Sequence, residues 1–183
     1  MIYLLIALFC ICLDQLTKYL VTAGLEWGQH THLIPGLLGL TRIKNTGMAW
    51  SLLSASQFRW VLAAVSVAVS IVIIVILLRN KLTKWENFAL ALVLGGAIGN
   101  AVDRIMLGYV VDMIETEFIS FPIFNVADSF ITVGAIIFVI LYGIRSIKEE
   151  REKKNAAMPE LRRLRESRER AEEEKDDDAD GKL

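Results

Sequence analysis

The chain has 183 residues, 54% of them hydrophobic, with 20 Lys and Arg against 21 Asp and Glu, a formal net charge of −1 and a mean hydropathy of +0.46. Neither part of the chain carries a strong basic excess, which leaves no electrostatic footprint for nucleic acid, and the long apolar blocks exclude an ordinary soluble domain. More than half of the charged side chains fall in residues 148–183, so the near-neutral balance conceals a strong segregation.

A bilayer core of about 30 Å needs about 20 mostly apolar helical residues. Four segments qualify, at about 1–21, 59–78, 85–104 and 126–144. In lipid the backbone must satisfy its own hydrogen bonds, so each reads as a helix. The first run lacks a basic leader and an A-x-A cleavage site, and is expected to be a retained span rather than a cleaved signal. Its Cys10 and Cys12 point about 200° apart at helical spacing, which argues against a disulfide or a metal pair. The fold class is therefore an all-α membrane protein with four transmembrane helices. Residues 32–53 mix β-formers with turn glycines and predict a small outward-facing β platform in the first outer loop.

Basic residues set the orientation. Arg79, Lys81 and Lys84 crowd the short 79–84 link, and Arg145, Lys148, Arg151, Lys153 and Lys154 follow the fourth span. The longer 22–58 loop has only Arg42 and Lys44, and the 105–125 loop has no Lys or Arg. Both termini are expected in the cytoplasm, with 22–58 and 105–125 outside. Trp27, Trp50, Trp60 and Trp85 suit an interfacial belt. Residues 1–147 form the membrane domain. Residues 148–183 form a charged tail, part helical through i,i+4 pairs such as Glu149 with Lys153, interrupted at Pro159, and disordered in its acidic end.

Ionisable groups at membrane depth are costly and mark function. Asp14 lies past the midpoint of the first span, with Lys18 one turn on. Asn100, Asp103 and Arg104 lie at the outer end of the third span. Asn125 and Asp128 open the fourth, and Asp112 sits in the loop between. One at a time, each has a structural explanation. Together they converge on one membrane layer, with the inner half nearly free of such groups.

The chemistry narrows by elimination. No Ser/His/Asp set or phosphate-binding glycine loop is evident. His30 and His32 are the only histidines. As His-x-His they lack a third His or a Cys partner, so they read as ordinary loop residues and no metal or cofactor is expected. GGAIGN at 95–100 lies in an apolar helix, where small residues permit close helix approach. A carboxylate pair remains. Asp112 and Asp128 are able to share one proton and activate water, provided the intervening loop turns back, and Pro122 in FPIF is placed to direct that return. A transporter would need polar groups through the full depth, whereas span two offers Ser66 and Ser70, and span four beyond Ser129 offers Thr132 and Tyr142.

The motifs in order are Asp14-Gln15-Leu16-Thr17-Lys18, then Lys44-Asn45-Thr46-Gly47-Met48-Ala49-Trp50. Next come Gly99-Asn100-Ala101-Val102-Asp103-Arg104 with Gly108 and Val110-Val111-Asp112, and last Phe124-Asn125-Val126-Ala127-Asp128-Ser129. This set resembles the lipoprotein signal peptidase (signal peptidase II) family of bacterial membrane aspartyl proteases. The resemblance implies an endopeptidase that removes signal peptides from prolipoproteins, cutting before a diacylglyceryl cysteine. It implies a monomer in the bacterial cytoplasmic membrane, contacting membrane lipid, with its site near the outer face. Asp112 and Asp128 match the catalytic pair. Asp14, Lys18, Asn45, Gly47, Asn100, Arg104, Asn125 and Ala127 fall on motif positions that shape the site or hold substrate, Asn45 and Arg104 by donating hydrogen bonds to substrate carbonyls. The chain departs from the family in a short lead before the first motif, in Met48 where small residues are common, and in its longer charged tail.

Overall fold

The structure is a computed structural model that describes residues 1–47, 55–79 and 81–180. Within these the elements run α1 (Ile2–Gly24), β1 (His30–Ile34), β2 (Leu38–Asn45), α2 (Ala55–Arg79), α3 (Lys84–Met106), β3 (Val110–Thr116) and α4 (Val126–Asp180). The chain divides into two units, Met1–Ile140 and Leu141–Leu183.

Four helices carry stretches long and apolar enough to cross a membrane, and they coincide with the predicted spans. Their outward faces are apolar too: Leu8, Phe9, Val65, Ile71, Val72, Val133 and Ile136 are all exposed. Such a surface is unstable against water and suited to lipid. α3 is the most buried of the four, because its small residues admit the neighbours. A Cβ on Gly95 would strike Cys10 of α1, and one on Gly96 would strike the Ala127 carbonyl of α4. The expected role of GGAIGN as a close-approach stripe therefore holds. At the end of the bundle near the 79–84 link, Ala7, Ile73, Leu77, Leu90 and Leu94 form an apolar core.

α3 starts in a capping box. The Thr83 hydroxyl accepts from the Glu86 N–H, and the Glu86 carboxylate accepts from the Thr83 N–H at 2.7 Å. Glu86 and Asn87 are both buried here, two polar groups in a half that the sequence reads as nearly free of them. Glu86 answers the helix start, whose backbone donors need partners, and Asn87 donates through Nδ2 to the Leu82 carbonyl at 3.2 Å.

The sheet is three-stranded and antiparallel in the order β1-β2-β3. Its first two strands lie in the link between α1 and α2 and overlap the predicted 32–53 platform, while 48–54, including Met48, Ala49 and Trp50, lies outside the described residues. The third strand comes from the loop between α3 and α4, where the sequence analysis places no strand. Val110, Val111, Asp112 and Met113 are all buried, so the alternation that betrays a half-exposed strand is missing. A bulge between Leu40 and Ile43 sets Thr41 and Arg42 against a single residue of β3. Arg42 then reaches back to α1, donating to the Thr22 and Leu25 carbonyls at 3.0 and 2.9 Å and satisfying that helix end.

In the second unit α4 is helical through Pro159 to Asp180, where the sequence predicts a break and then disorder. Pairs Arg145–Glu149, Lys148–Glu152 and Glu150–Lys154 at i,i+4 line α4 over residues 145–154. A single proline costs a helix one hydrogen bond and about 3 kcal/mol.

Candidate active site

The site forms where the sheet meets the helix ends, and local backbone rules position its side chains. Phe124 pairs with Ile114 as an isolated bridge. The Phe124 carbonyl accepts from the Met113 and Ile114 N–H groups at 3.0 and 2.8 Å, and its own N–H donates to Ile114 at 3.1 Å. The loop after β3 thus does turn back, as FPIF predicts, and delivers Asn125 beside Asp112.

Asn125 then caps α4. Its Oδ1 accepts from the Asp128 N–H at 2.9 Å, while Asp128 Oδ2 accepts from the Asn125 N–H at 3.3 Å. This reciprocal pair has the logic of a capping box, with Asp128 in the third helical position. The Ala127 N–H, another donor orphaned at the helix start, goes to Asp14 Oδ1 of α1 at 2.9 Å. Asp14 therefore ties α1 to the first turn of α4.

Asn125 also joins the two aspartates. Its Nδ2 donates to Asp112 Oδ1 at 2.7 Å. The other oxygen, Asp112 Oδ2, accepts from Asn45 Nδ2 at 2.9 Å. Asn45 is oriented in turn by the Gly47 N–H, which donates to its Oδ1 at 2.9 Å; Gly47 has φ +74°, a conformation that favours glycine. Asp128 Oδ1 accepts from Asn100 Nδ2 at 2.7 Å. Three asparagine amides thus hold two carboxylates.

Behind this pair lies a buried ionic layer. Lys18 donates to Asn100 Oδ1 at 3.1 Å and pairs with Asp14 at 2.8 Å and Asp103 at 3.0 Å. Gln15 Nε2 donates to Asp103 Oδ1 at 2.9 Å, and the Val111 N–H donates to Asp103 Oδ2 at 3.1 Å. A Cβ on Gly99 would come within 2.6 Å of Asp14 Oδ2, so glycine is needed there for the layer to close. Lys18 is only 4% exposed, which is tolerable because its charge meets two carboxylates and an amide oxygen.

All ten sequence-predicted site residues converge on this region. Asp14, Lys18, Asn45, Gly47, Asn100, Asn125 and Ala127 bond to one another or to the two aspartates. Arg104 stands apart: it donates to the Asn100 carbonyl at 3.3 Å, and its charge acts on Asp128, Asp103 and Asp112. Asp103 and Gln15 are absent from the predicted set. Asp103 is an acid at membrane depth, but beside Arg104 at a helix end the two also read as snorkelling side chains. Gln15 carried no charge to flag it.

Burial is the largest influence on Asp112 and pushes its carboxyl above the usual carboxylate range; nearby Asp128 pushes the same way, and the Asn125 and Asn45 donors oppose it. Beside the pair lies a cavity of about 510 Å³ with Asn45 and Asp128 in its wall and Phe121, Phe124 and Val133 among its apolar lining.

Residues 6–144 match the family model described as signal peptidase (SPase) II. A lipoprotein signal peptidase of Enterococcus faecalis is 46% identical over 155 residues, covering 84% of this chain and 94% of that protein. One from Nostoc punctiforme is 44% identical, covering 70% and 80% respectively. Two solved structures described as bacterial membrane enzymes superpose with TM-scores of 0.71 and 0.70, at 32% and 33% identity. They cover 79% and 76% of this chain, and 88% and 91% of theirs.

Proposed function

Because this chain belongs to the signal peptidase II family, we propose that it works as an aspartyl endopeptidase in which Asp112 and Asp128 share one proton across an attacking water. Family membership makes it a protease that removes signal peptides from prolipoproteins, and its four apolar helices make it a multi-pass membrane protein.

The observation that carries the proposal is the Asn125 bridge: its Nδ2 donates to the Asp112 carboxylate, its Oδ1 accepts from the Asp128 backbone N–H, and its own backbone N–H donates to the Asp128 carboxylate. Two carboxylates so close do not both ionise at low cost. The ionised one takes a proton from water as the water oxygen attacks the scissile carbonyl carbon. The protonated one gives its proton to the carbonyl oxygen. Collapse of the gem-diol intermediate breaks the C–N bond: the leaving amine takes a proton from one aspartate while an intermediate hydroxyl returns its proton to the other, which restores the singly protonated pair. No covalent enzyme intermediate forms. The raised Asp112 carboxyl supports the retention of one proton above the usual carboxylate range.

Substrate placement follows from depth. The bond cut is the one before a diacylglyceryl cysteine at the outer surface of the cytoplasmic membrane, and the apolar cavity beside Asp128 receives hydrocarbon. Asn45 and Arg104 donate to substrate carbonyls; Asp14, Lys18, Asn100 and Asn125 hold the pair in place. Both termini, and with them the 148–183 tail, lie in the cytoplasm, and the enzyme works as a monomer. Purified full-length chain should cut a diacylglyceryl model peptide before the lipidated cysteine, with or without a metal chelator. Cleavage abolished by the chelator, or equal cleavage of the unlipidated peptide, would overturn the corresponding part of this reading. Peptide uptake into vesicles without cleavage would replace it with transport.

A further inference from the structure

The far end of the sheet carries a second cluster of ligating side chains, which the proposed hydrolysis leaves unused. His30 and His32 stand at i and i+2 on β1 and therefore share a face. Glu115 lies on β3, with Glu117 two residues on. Between them runs β2, where Gly39 pairs with His32 on one side and Glu115 on the other. With no side chain at Gly39, the groups from the outer strands meet over the middle one: a Cβ there would strike His30 Nε2 and sit 2.9 Å from Glu117 Oε1.

We propose that His30 Nε2, His32 Nδ1 and the Glu117 carboxylate form a binding site for a zinc-type divalent cation, with Glu115 or water completing the coordination. The three ligand atoms lie within 4.8 Å of one another. His30 Nε2 is 3.4 Å from Glu117 Oε1 and 3.5 Å from Glu115 Oε2. Ligand atoms about 2.0–2.1 Å from a tetrahedral zinc lie roughly 3.4 Å apart, so these two separations already fit. His32 Nδ1 lies 2.7 Å from Glu117 Oε1, a hydrogen-bond distance. The ion replaces the proton shared there, and this contact opens by roughly 0.6 Å to reach the same spacing. On binding, His32 is neutral with its remaining proton on the solvent-facing Nε2. Glu117 is oriented from behind, its Oε2 accepting from the Gly36 N–H at 2.8 Å, the kind of outer support that fixes a ligand's direction. Two imidazoles and carboxylates favour zinc, copper or nickel over magnesium. The bound ion clamps β1 to β3 across β2, away from Asp112, and takes no part in hydrolysis.

The test is calorimetric titration of zinc sulfate into purified, tag-free full-length protein. One equivalent should bind at neutral pH. His32→Ala and Glu117→Gln should each weaken it by more than the roughly 10–100-fold that follows loss of an outer support. His32 is exposed, and Glu117→Gln keeps the shape of a half-buried side chain and an oxygen for the Gly36 N–H, so the variants should melt like the parent without zinc, and zinc should raise the melting temperature of the parent alone. No saturable binding, binding untouched in both variants, or equal binding of magnesium would overturn the site.

Discussion

The two ends of the helix bundle are held together by different physics. Near the 79–84 link, Ala7, Ile73, Leu77, Leu90 and Leu94 pack as hydrocarbon on hydrocarbon. At the sheet end, Asp14, Lys18, Asn100, Asp103, Asp112 and Asn125 are just as buried, yet the contacts are hydrogen bonds and ion pairs. Apolar packing is non-directional and fixes helices against one another without fixing any one atom. Amide and carboxylate contacts are directional and fix oxygen atoms to within a bond's tolerance, at the cost of burying charge. A hydrolytic pair needs the second kind of support.

The contrast makes the sheet end fragile in function and the other end fragile only in stability. The largest effect expected is on rate: Asp112→Asn or Asp128→Asn should lower cleavage of a lipidated peptide by about 10²–10⁴-fold or more, with the protein still folded. Lys18→Met should come next. It leaves Asp14 and Asp103 buried without their cation and should cost about 3–5 kcal/mol in chemical denaturation, with activity falling as Asn100 loses its anchor. At the opposite end Leu94→Ala should cost about 2–5 kcal/mol, yet each molecule that remains folded should cleave at the parent rate. A drop in the rate per folded molecule for Leu94→Ala, or an unchanged one for Lys18→Met, would erase the distinction. Asn125→Ala should have the smallest stability effect, about 0.5–2 kcal/mol for a lost helix cap. It should nonetheless slow cleavage measurably, because the same side chain bridges the two aspartates.

Much of this was legible in residue order. Spans announce themselves by apolar length, and Asp14, Asn100 and Asp128 by being polar where lipid excludes them. The return of the chain onto Asp112 was legible in FPIF, though not the Phe124–Ile114 bridge that accomplishes it. Other features depend on pairs far apart in sequence. Glu117 meets His32 across 85 positions, so the histidines looked partnerless. Gln15 meets Asp103 across 88, and neither residue alone betrays the contact. Strand β3 was hidden by burial on both faces, which removes the alternation that a sequence reader counts. The dual duty of Asn125, cap and bridge, required seeing a helix start and a strand together.

The central claim is that the aspartate pair keeps one proton where burial holds Asp112 above its ordinary range. Its most direct test is the pH dependence of cleavage by the purified enzyme on a lipidated peptide. A raised carboxyl stays protonated to higher pH, so the singly protonated pair should persist above the usual carboxylate range. The rate should fall on the acid side as both groups bind protons, and on the alkaline side as the last shared proton leaves. A bell-shaped profile whose alkaline limb lies above the usual carboxylate range is the predicted result. A rate that stays level as pH rises well past that range, in protein that remains folded, would contradict it.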